Sequence, residues 1–311
     1  MNRRDFLAAS MAAAAAGATA AGDPPADLPS FPRDPNKFPL PKKPDLVPSD
    51  EPTTIKPMKL KGKLKQSVCR WCFNSIPLEE LSRSAAGLGM KSVELLGEKE
   101  WSVPAKFGLT CAVANGPTTI RDGINRVESH AAFEKECERL LPLVKKAGIP
   151  NMIVFSGNRK GMADGEGLKN CATALKRVTP IAEAAGVTII MELLNSKIDH
   201  GDYMCDRTPW GVDLVKEVGS DRFRLLYDIY HMQIMEGDVI RTITDHGKYI
   251  AHYHTAGNPG RRDLDDDQEL NYKAICEAIV RSGYTGYLGQ EFMPKKPGVE
   301  SLKDAVILCD V

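Results

Sequence analysis

The chain has 311 residues, and its 41 lysines and arginines balance its 41 aspartates and glutamates, so the formal net charge is zero. This balance provides no large positive field, which argues against nucleic acid or a membrane surface as the partner. We expect a small neutral or weakly charged substrate instead. The length left after the amino-terminal segment is set aside suits a single domain of about 250 residues.

The first 22 residues have the three zones of an export signal. Arg3 and Arg4 precede an alanine-rich apolar run that ends near Ala20. This order resembles a twin-arginine signal peptide and predicts export of the folded protein to the periplasm. No cysteine follows the run, and no later window reaches the roughly 18 apolar residues of a membrane span, so we expect no membrane anchor after cleavage. The alternative is an ordinary amphipathic helix.

Residues 23–65 are rich in proline. They contain 11 of the 21 prolines of the chain, mixed with lysines and few large apolar residues. Such a segment cannot bury enough apolar surface to fold by itself. We interpret it as a linker or arm on which catalysis does not depend.

Residues 66–311 alternate between predicted strands and predicted helices. Strands are expected at 66–73, 91–96, 109–116, 151–157, 187–192, 223–231, 249–257 and 285–292. Helices are expected at 76–90, 133–148, 167–186, 208–219, 237–247, 269–283 and 300–311. Several helices end in a glycine that leads directly into a strand, as at Gly148 and Gly186, which is typical of repeated parallel β/α units. Eight strands of this kind predict the α/β class and a (β/α)8 TIM barrel.

The eight cysteines do not have the spacing of a disulfide framework. Cys69 and Cys72 form a CxxC pair, but they fall on a predicted strand, where residues three apart face opposite sides. Four others fall on apolar strand or helix positions: Cys111, Cys137, Cys171 and Cys276. We interpret these six as packing residues.

Four chemically reactive side chains stand at the ends of four successive apolar strands: Glu192, Asp228, His254 and Glu291. The gaps of 36, 26 and 37 residues between them each suit one β/α repeat. Because parallel barrel strands meet at one face, these side chains are expected to converge on one divalent metal ion. Their mainly oxygen ligand set favours Mn²⁺ or Mg²⁺, with Co²⁺ or Zn²⁺ as alternatives. Taken singly, each is also compatible with a hydrogen-bonded core residue.

Other polar residues near these strand ends are candidates for binding the substrate. His231 and Arg261 follow Asp228 and His254 on the expected loops, where each could hold a substrate oxygen. Their alternative is a solvated histidine and a surface arginine. Asn195 and Lys197 are weaker candidates for substrate binding.

Two further residues are candidates for supporting the metal ligands. Glu94 ends the second predicted strand, as a support for the site or as a satisfied structural carboxylate. His252 shares a strand face with His254 and is expected to lie behind it.

The segments MELLNSK, LYDIYHMQ, HTAGNPGR, ELNY and GYLGQEF resemble the hydroxypyruvate isomerase branch of the xylose-isomerase-like TIM barrels, which includes the ketose 3-epimerases. The resemblance implies that the four strand-end residues bind one metal and that Glu192 and Glu291 also move protons. It further implies that His231 and Arg261 hold the substrate. A histidine as third ligand, here His254, is what the ketose epimerases use.

These residues predict an isomerase or epimerase of a sugar or hydroxy-ketone. A metal chelated by a carbonyl and its neighbouring hydroxyl stabilises an enediolate, so a carboxylate can remove the carbon-bound proton. Return of the proton to the same carbon inverts a centre, and return to the neighbouring carbon isomerises the substrate.

The same site leaves other functions open. One alternative is a lyase or dehydratase acting on an oxidised sugar, and another is a non-catalytic exported sugar-binding barrel. A nuclease on this fold is disfavoured, because its multi-metal site requires more histidines and its substrate requires a basic surface. The sequence also leaves open whether the chain forms a homo-oligomer.

Overall fold

The computed structural model describes residues 58–311. The predicted signal peptide at 1–22 and residues 23–57 of the predicted arm lie outside the described residues. The remaining residues of the arm lie against the barrel, since the Met58 amide donates to the carbonyl of Gly87 at 2.9 Å. The first strand begins at Lys65, at the end of the predicted arm.

Eight parallel strands form one sheet in the described part of the chain. They are β1 Lys65–Cys69, β2 Ser92–Glu94, β3 Val113–Asn115, β4 Asn151–Val154, β5 Thr188–Leu193, β6 Phe223–Asp228, β7 Ile250–Thr255 and β8 Tyr287–Gln290. Their order is β2-β1-β8-β7-β6-β5-β4-β3. Backbone hydrogen bonds bridge the two ends of this order, from Val93 N to Thr110 O at 3.1 Å and from Leu95 N to Val113 O at 2.9 Å. The predicted TIM barrel is therefore confirmed.

Helices lie between the strands and cover the outside of the sheet. They are α1 Leu78–Gly87, α2 His130–Lys146, α3 Asp164–Ala185, α4 Thr208–Val218, α5 Ile229–Met235, α6 Val239–His246, α7 Tyr272–Arg281 and α8 Glu300–Leu308. Helix α3 is capped by Gly186, whose φ of 70° places it in the left-handed region as the repeated glycine pattern predicts. No helix among residues 58–311 is long and apolar enough to cross a membrane.

The interior of the barrel is filled by small and branched apolar side chains: Ala112, Val113, Ile153, Ile190 and Leu226. Residues two apart on a strand face the same side of the sheet. Ile190 therefore shares a face of β5 with Glu192, and Leu226 shares a face of β6 with Asp228. Glu192 and Asp228 lie two residues nearer the carboxyl ends of these strands. This apolar layer forms a floor under the predicted site.

Seven of the eight predicted strands extend past the observed carboxyl ends, and in two of them a side-chain hydrogen bond accounts for the earlier end. The first, expected to reach residue 73, ends at Cys69, and Arg70–Phe73 forms a 3-10 turn in which the Arg70 guanidinium donates to the Phe73 carbonyl at 2.7 Å. The sixth, expected to reach residue 231, ends at Asp228, whose carboxylate accepts from the His231 amide at 3.1 Å and caps α5. In both cases a side-chain hydrogen bond to the backbone outweighs the strand preference of the following residues.

All eight cysteines are free and buried. The described structure therefore agrees with the prediction that Cys69 and Cys72 are packing residues and not a disulfide. Burial raises the pKa of both thiols well above the ordinary value. Thiols that resist ionisation in this way are poor nucleophiles.

Tyr203 connects the loop after β5 with the ends of two strands. Its ring is fully buried, and its hydroxyl donates to the Glu192 carbonyl at 2.9 Å and accepts from the Ser156 amide at 3.2 Å. The hydroxyl thus fixes the backbone of Glu192, one of the four candidate ligands.

We predict that Tyr203→Phe lowers the free energy of unfolding by about 1–3 kcal/mol, because the Ser156 amide stays buried without its acceptor. Urea denaturation followed by circular dichroism measures the change. Tyr249→Phe is the matched control, since Tyr249 is only half-buried and contacts lysine ammonium groups through its ring. Equal midpoints for the two variants would contradict the assigned role.

Candidate metal centre

The four predicted ligands converge at the carboxyl end of the barrel. Glu192, Asp228 and His254 lie at the ends of β5, β6 and β7, and Glu291 directly follows β8. One ligand atom from each lies within 4.8 Å of all the others, and all four side chains are buried. We call these four residues the quartet. The strand register explains their convergence, since Asp228 pairs with His254 across β6 and β7.

His254 is the centre of the quartet. Its Nδ1 lies 3.2 Å from Glu192 Oε1 and 3.0 Å from Glu291 Oε2. Burial lowers the pKa of His254, but Glu291, Cys69 and Glu192 together raise it more, so the net shift is well above the ordinary value. In the metal-free protein, the imidazole is therefore a cation between two carboxylates.

Glu94 orients the histidine from behind. Its Oε1 lies 2.9 Å from His254 Nε2 and 2.7 Å from His252 Nε2, and all three side chains are fully buried. Burial raises the pKa of Glu94, but the two imidazoles together lower it by more. The net pKa is below the ordinary value, so Glu94 stays ionised. An ionised carboxylate only accepts hydrogen bonds, so Nε2 of His254 carries a proton and Nδ1 faces the quartet. This is the arrangement of a carboxylate that supports a metal-binding histidine.

Asp228 has the clearest unsatisfied atom of the quartet. Its Oδ1 accepts from the His231 amide, whereas its buried Oδ2 has no hydrogen bond within residues 58–311. Burial raises the pKa of Asp228 well above the ordinary value, although Arg261 opposes the shift. Burial and then the charge of Glu291 likewise raise the pKa of Glu192.

This donor set fits a divalent cation. Three carboxylates within a few ångströms repel each other in a buried site, and the free oxygen of Asp228 requires a positive partner. Carboxylate oxygens and one imidazole nitrogen are ligands that such ions accept. The quartet is therefore a buried cluster consistent with a divalent metal site.

Arg261 brings a fixed positive charge to the same cluster. Its Nη2 donates to Glu291 Oε2 at 2.7 Å and lies 3.5 Å from Asp228 Oδ2. The guanidinium packs between the rings of Trp71 and Tyr230, at 5.0 and 5.6 Å from their centroids. Desolvation lowers the pKa of Arg261, but the carboxylates, Glu291 first, raise it above the ordinary value. The predicted candidate is therefore half-buried beside the quartet and is not a solvated surface arginine.

Trp71 is a further residue of the site, and it lies in the 3-10 turn after β1. Its indole Nε1 donates to Glu291 Oε1 at 2.7 Å, so Trp71 and Arg261 each hold one oxygen of this carboxylate. A tryptophan just past the end of β1 was the only available signal. Its contact depends on the 3-10 turn, which the sequence reasoning took for strand.

His231, predicted on a loop, lies in the first turn of α5. Its Nε2 is buried without a hydrogen bond in the described part of the chain and lies 3.7 Å from Asp228 Oδ2. Its Nδ1 accepts from Asn195 Nδ2 at 2.6 Å. Burial and then the Arg261 charge lower the pKa of His231 well below the ordinary value, so the ring is neutral and Nε2 carries the proton.

The two weaker candidates do not join the quartet. Asn195 orients His231 and also donates to Asp199 Oδ2 at 2.7 Å. Lys197 donates its ammonium group to the carbonyls of Ile234 and Met235, at 2.8 and 3.1 Å, at the end of α5. A lysine near a helix carboxyl terminus satisfies free carbonyls and the helix dipole, which explains why it lies away from the site.

A cavity of about 390 Å³ opens beside the quartet, and we call it the inner cavity. Glu192, Glu291 and Arg261 form its polar side, and Trp71 lies at its edge. The rest of its wall is mainly apolar, with Asn115 and His200 as polar members beside Leu95, Ile120, Ile153, Phe155 and Leu194. The volume lies within the range of about 300–1,000 Å³ that is typical of small-ligand pockets, which suits a sugar-sized ligand.

The family model described as xylose isomerase-like TIM barrel matches residues 103–306. The chain belongs to this family, and the predicted family resemblance is confirmed. The putative hydroxypyruvate isomerase of Homo sapiens is 28% identical over 250 residues, which cover 75% of this chain and 90% of that protein. The 2-oxo-tetronate isomerase of Cupriavidus necator is 35% identical over 136 residues, which cover 43% of this chain and 52% of that protein.

A solved structure has the same fold. D-Psicose 3-epimerase from Clostridium cellulolyticum H10, crystallised with D-tagatose, superposes with a TM-score of 0.65. The superposition covers 79% of this chain and 90% of that chain at 18% sequence identity. At this identity the likeness establishes the fold alone.

We predict that Mn²⁺ binding to the metal-free protein releases protons and tightens as the pH rises. Asp228, Glu192 and His254 have raised pKa values, so the free form binds protons that the metal-bound form has lost. Calorimetric titration in buffers with different ionisation enthalpies measures the released protons.

Two asparagine variants serve as the matched pair for this titration. Asp228→Asn is expected to weaken Mn²⁺ binding strongly, because it removes one ligand charge. Asp213→Asn is expected to leave it unchanged, because Asp213 is an exposed partner of Lys216. Binding of Mn²⁺ without proton release would contradict the assigned protonation states.

Proposed function

We propose that the chain is a metal-dependent isomerase or epimerase of a sugar or hydroxy-ketone. The observation that carries this proposal is that only two members of the quartet, Glu192 and Glu291, line the inner cavity. Both also approach His254 Nδ1 within 3.2 Å. Two carboxylates that flank one point and face one cavity suit the removal and return of a proton.

The quartet would hold one divalent ion, and three carboxylates among four ligands favour Mn²⁺ or Mg²⁺. When bound, the ion supplies positive charge against the negative charge that develops on the substrate oxygens. One glutamate takes the proton from the carbinol carbon, and the other returns a proton to the same or the neighbouring carbon. The relatives whose names denote isomerases of oxo-acids support this reaction type.

The other site residues position the substrate and exclude water. Arg261 and the Nε2 proton of His231 point toward the quartet and are suited to donate to substrate oxygens. Trp71 and Arg261 hold the two oxygens of Glu291, which fixes its orientation. The apolar wall of the inner cavity keeps water from the reacting carbon and strengthens electrostatic interactions there.

We predict that Glu291→Gln lowers turnover by at least about a hundredfold, because the amide cannot accept the proton. Metal-loaded protein is incubated with ketoses and oxo-acids in heavy water, and NMR measures exchange of carbon-bound hydrogen. Glu277→Gln is the matched control, since the Glu277 side chain on α7 is half-buried, does not line the inner cavity, and lies 3.8 Å from Arg281. A fully active Glu291→Gln variant would sink the proposal, and loss of water or of an alcohol from the substrate would indicate a lyase.

We also propose that the twin-arginine segment exports the protein to the periplasm, as Arg3 and Arg4 before the apolar run suggest. The double variant R3K/R4K is expected to remain in the cytoplasmic fraction of the bacterial cell, while the unaltered chain appears in the periplasmic fraction. Arg33→Lys makes the same chemical change outside the signal and serves as the control. Immunoblots of the fractions measure the distribution, and equal export of the double variant would contradict the proposal.

A further inference from the structure

A second cavity of about 200 Å³ adjoins the inner cavity, and we call it the outer cavity. The residues that line it are Ile120, Arg121, Asn158, Asp199, His200 and Gly201. Ile120 and His200 line both cavities, so the two spaces meet at these side chains. A ligand that begins at the quartet and extends beyond the inner cavity would therefore enter the outer cavity.

The two cavities differ in polarity along this path. Away from the quartet, the inner cavity is walled mainly by aliphatic and aromatic side chains, whereas the outer cavity is lined mainly by polar groups. An apolar wall accommodates carbon-bound hydrogens, but a hydroxyl facing it loses its hydrogen bonds to water. A hydroxyl-rich group is therefore better placed in the outer cavity than against the inner wall.

The outer cavity contains hydrogen-bonding groups that the chain itself does not use. The Nε2 atom of His200 is buried and has no hydrogen-bond partner within residues 58–311. Lys160 on a neighbouring loop pairs with Asp122 at 2.9 Å, whereas the exposed guanidinium of Arg121 forms no ion pair with the described residues. Such groups are available to hydrogen-bond with a ligand.

Asp199 supplies a fixed acceptor in the same cavity. Its Oδ2 accepts from Asn195 Nδ2 at 2.7 Å and from the Tyr230 hydroxyl at 2.9 Å. These two bonds hold the carboxylate in place and leave Oδ1 to accept from a hydroxyl. Neighbouring donors and acceptors of this kind match the vicinal hydroxyls of a sugar.

The charges of the outer cavity favour a neutral ligand. Arg121 and Asp199 carry opposite single charges, so the cavity has no excess positive charge. A phosphate group usually draws several cationic or amide donors to one point. The fixed carboxylate of Asp199 would repel such an anion.

We propose that the substrate is a neutral glycosylated ketose, with the reacting ketose unit at the quartet and a second sugar unit in the outer cavity. The assignment of the reacting unit rests on the proposed function, whereas the assignment of the second unit rests on the outer cavity alone. The two parts can therefore fail separately.

The test compares lactulose, a neutral two-unit ketose, with D-fructose and D-fructose 6-phosphate on the Mn²⁺-loaded full-length protein. Hydrogen exchange in heavy water gives kcat/KM for each sugar, and calorimetry measures lactulose binding. We expect lactulose to be preferred over D-fructose by about tenfold or more, the effect of one or two hydrogen bonds. The double variant R121A/N158A should reduce this preference, mainly through the KM for lactulose, and should weaken lactulose binding.

Arg177→Ala is the matched control, because Arg177 lies on the outer surface of α3, 3.7 Å from Glu134, and the variant also loses one guanidinium. Equal use of lactulose and D-fructose, or no lactulose binding by the unaltered protein, would overturn the second-unit assignment. Preference for D-fructose 6-phosphate that R121A/N158A removes would overturn it in favour of an anionic group. Binding of lactulose that R121A/N158A weakens, without exchange of any sugar, would support the outer cavity and contradict the proposed reaction.

Discussion

The repulsion between three buried carboxylates is the constraint on which the rest of the site depends. Glu192, Asp228 and Glu291 meet at a point where water cannot screen their charges. Burial first, and then the charge of the neighbouring carboxylates, raises the pKa values of Asp228 and Glu192, so without a counter-charge these groups take up protons. His254 and Arg261 supply positive charge beside the three carboxylates. The ligand atoms of the quartet are also of the types that bind a divalent cation. The contacts of the neighbouring residues contribute to this balance of negative and positive charge.

The contact between Glu94 and His254 also depends on a glycine in the neighbouring strand. Gly289 on β8 pairs with His254 on β7. A Cβ atom at Gly289 would lie 2.5 Å from Glu94 Oε1 and 2.7 Å from His254 Cδ2. The contact between Glu94 and His254, which sets the tautomer of the ligand, therefore exists because β8 leaves space for it.

The quartet was predictable from the sequence because its signal is local. Each member is a polar residue at the end of a buried apolar strand, and parallel strands bring such ends together. The roles of Glu94 and Trp71 depend on contacts between distant strands and turns, which the pattern of one strand does not contain. Lys197 shows the converse, since its position after β5 predicted substrate binding, whereas its ammonium group donates to carbonyls at the end of α5. The end of β6 was predicted three residues too late. The carboxylate of Asp228 caps helix α5, and the sequence of α5 has no clear helical pattern.

The placement of the cavities separates the residues that hold the centre from the residues that can react. Asp228 and His254 lie behind Glu192 and Glu291, which alone among the quartet line the inner cavity. Asp228 and His254 are also fixed by strand register, whereas most of the cavity wall comes from loops after β1, β2, β3, β4, β5 and β7. Loops change in sequence and length with less cost to the fold than strands do. The barrel can therefore keep one proton-transfer centre while the loops adapt the cavities to different substrates, which is why the choice of substrate must be sought in those loops.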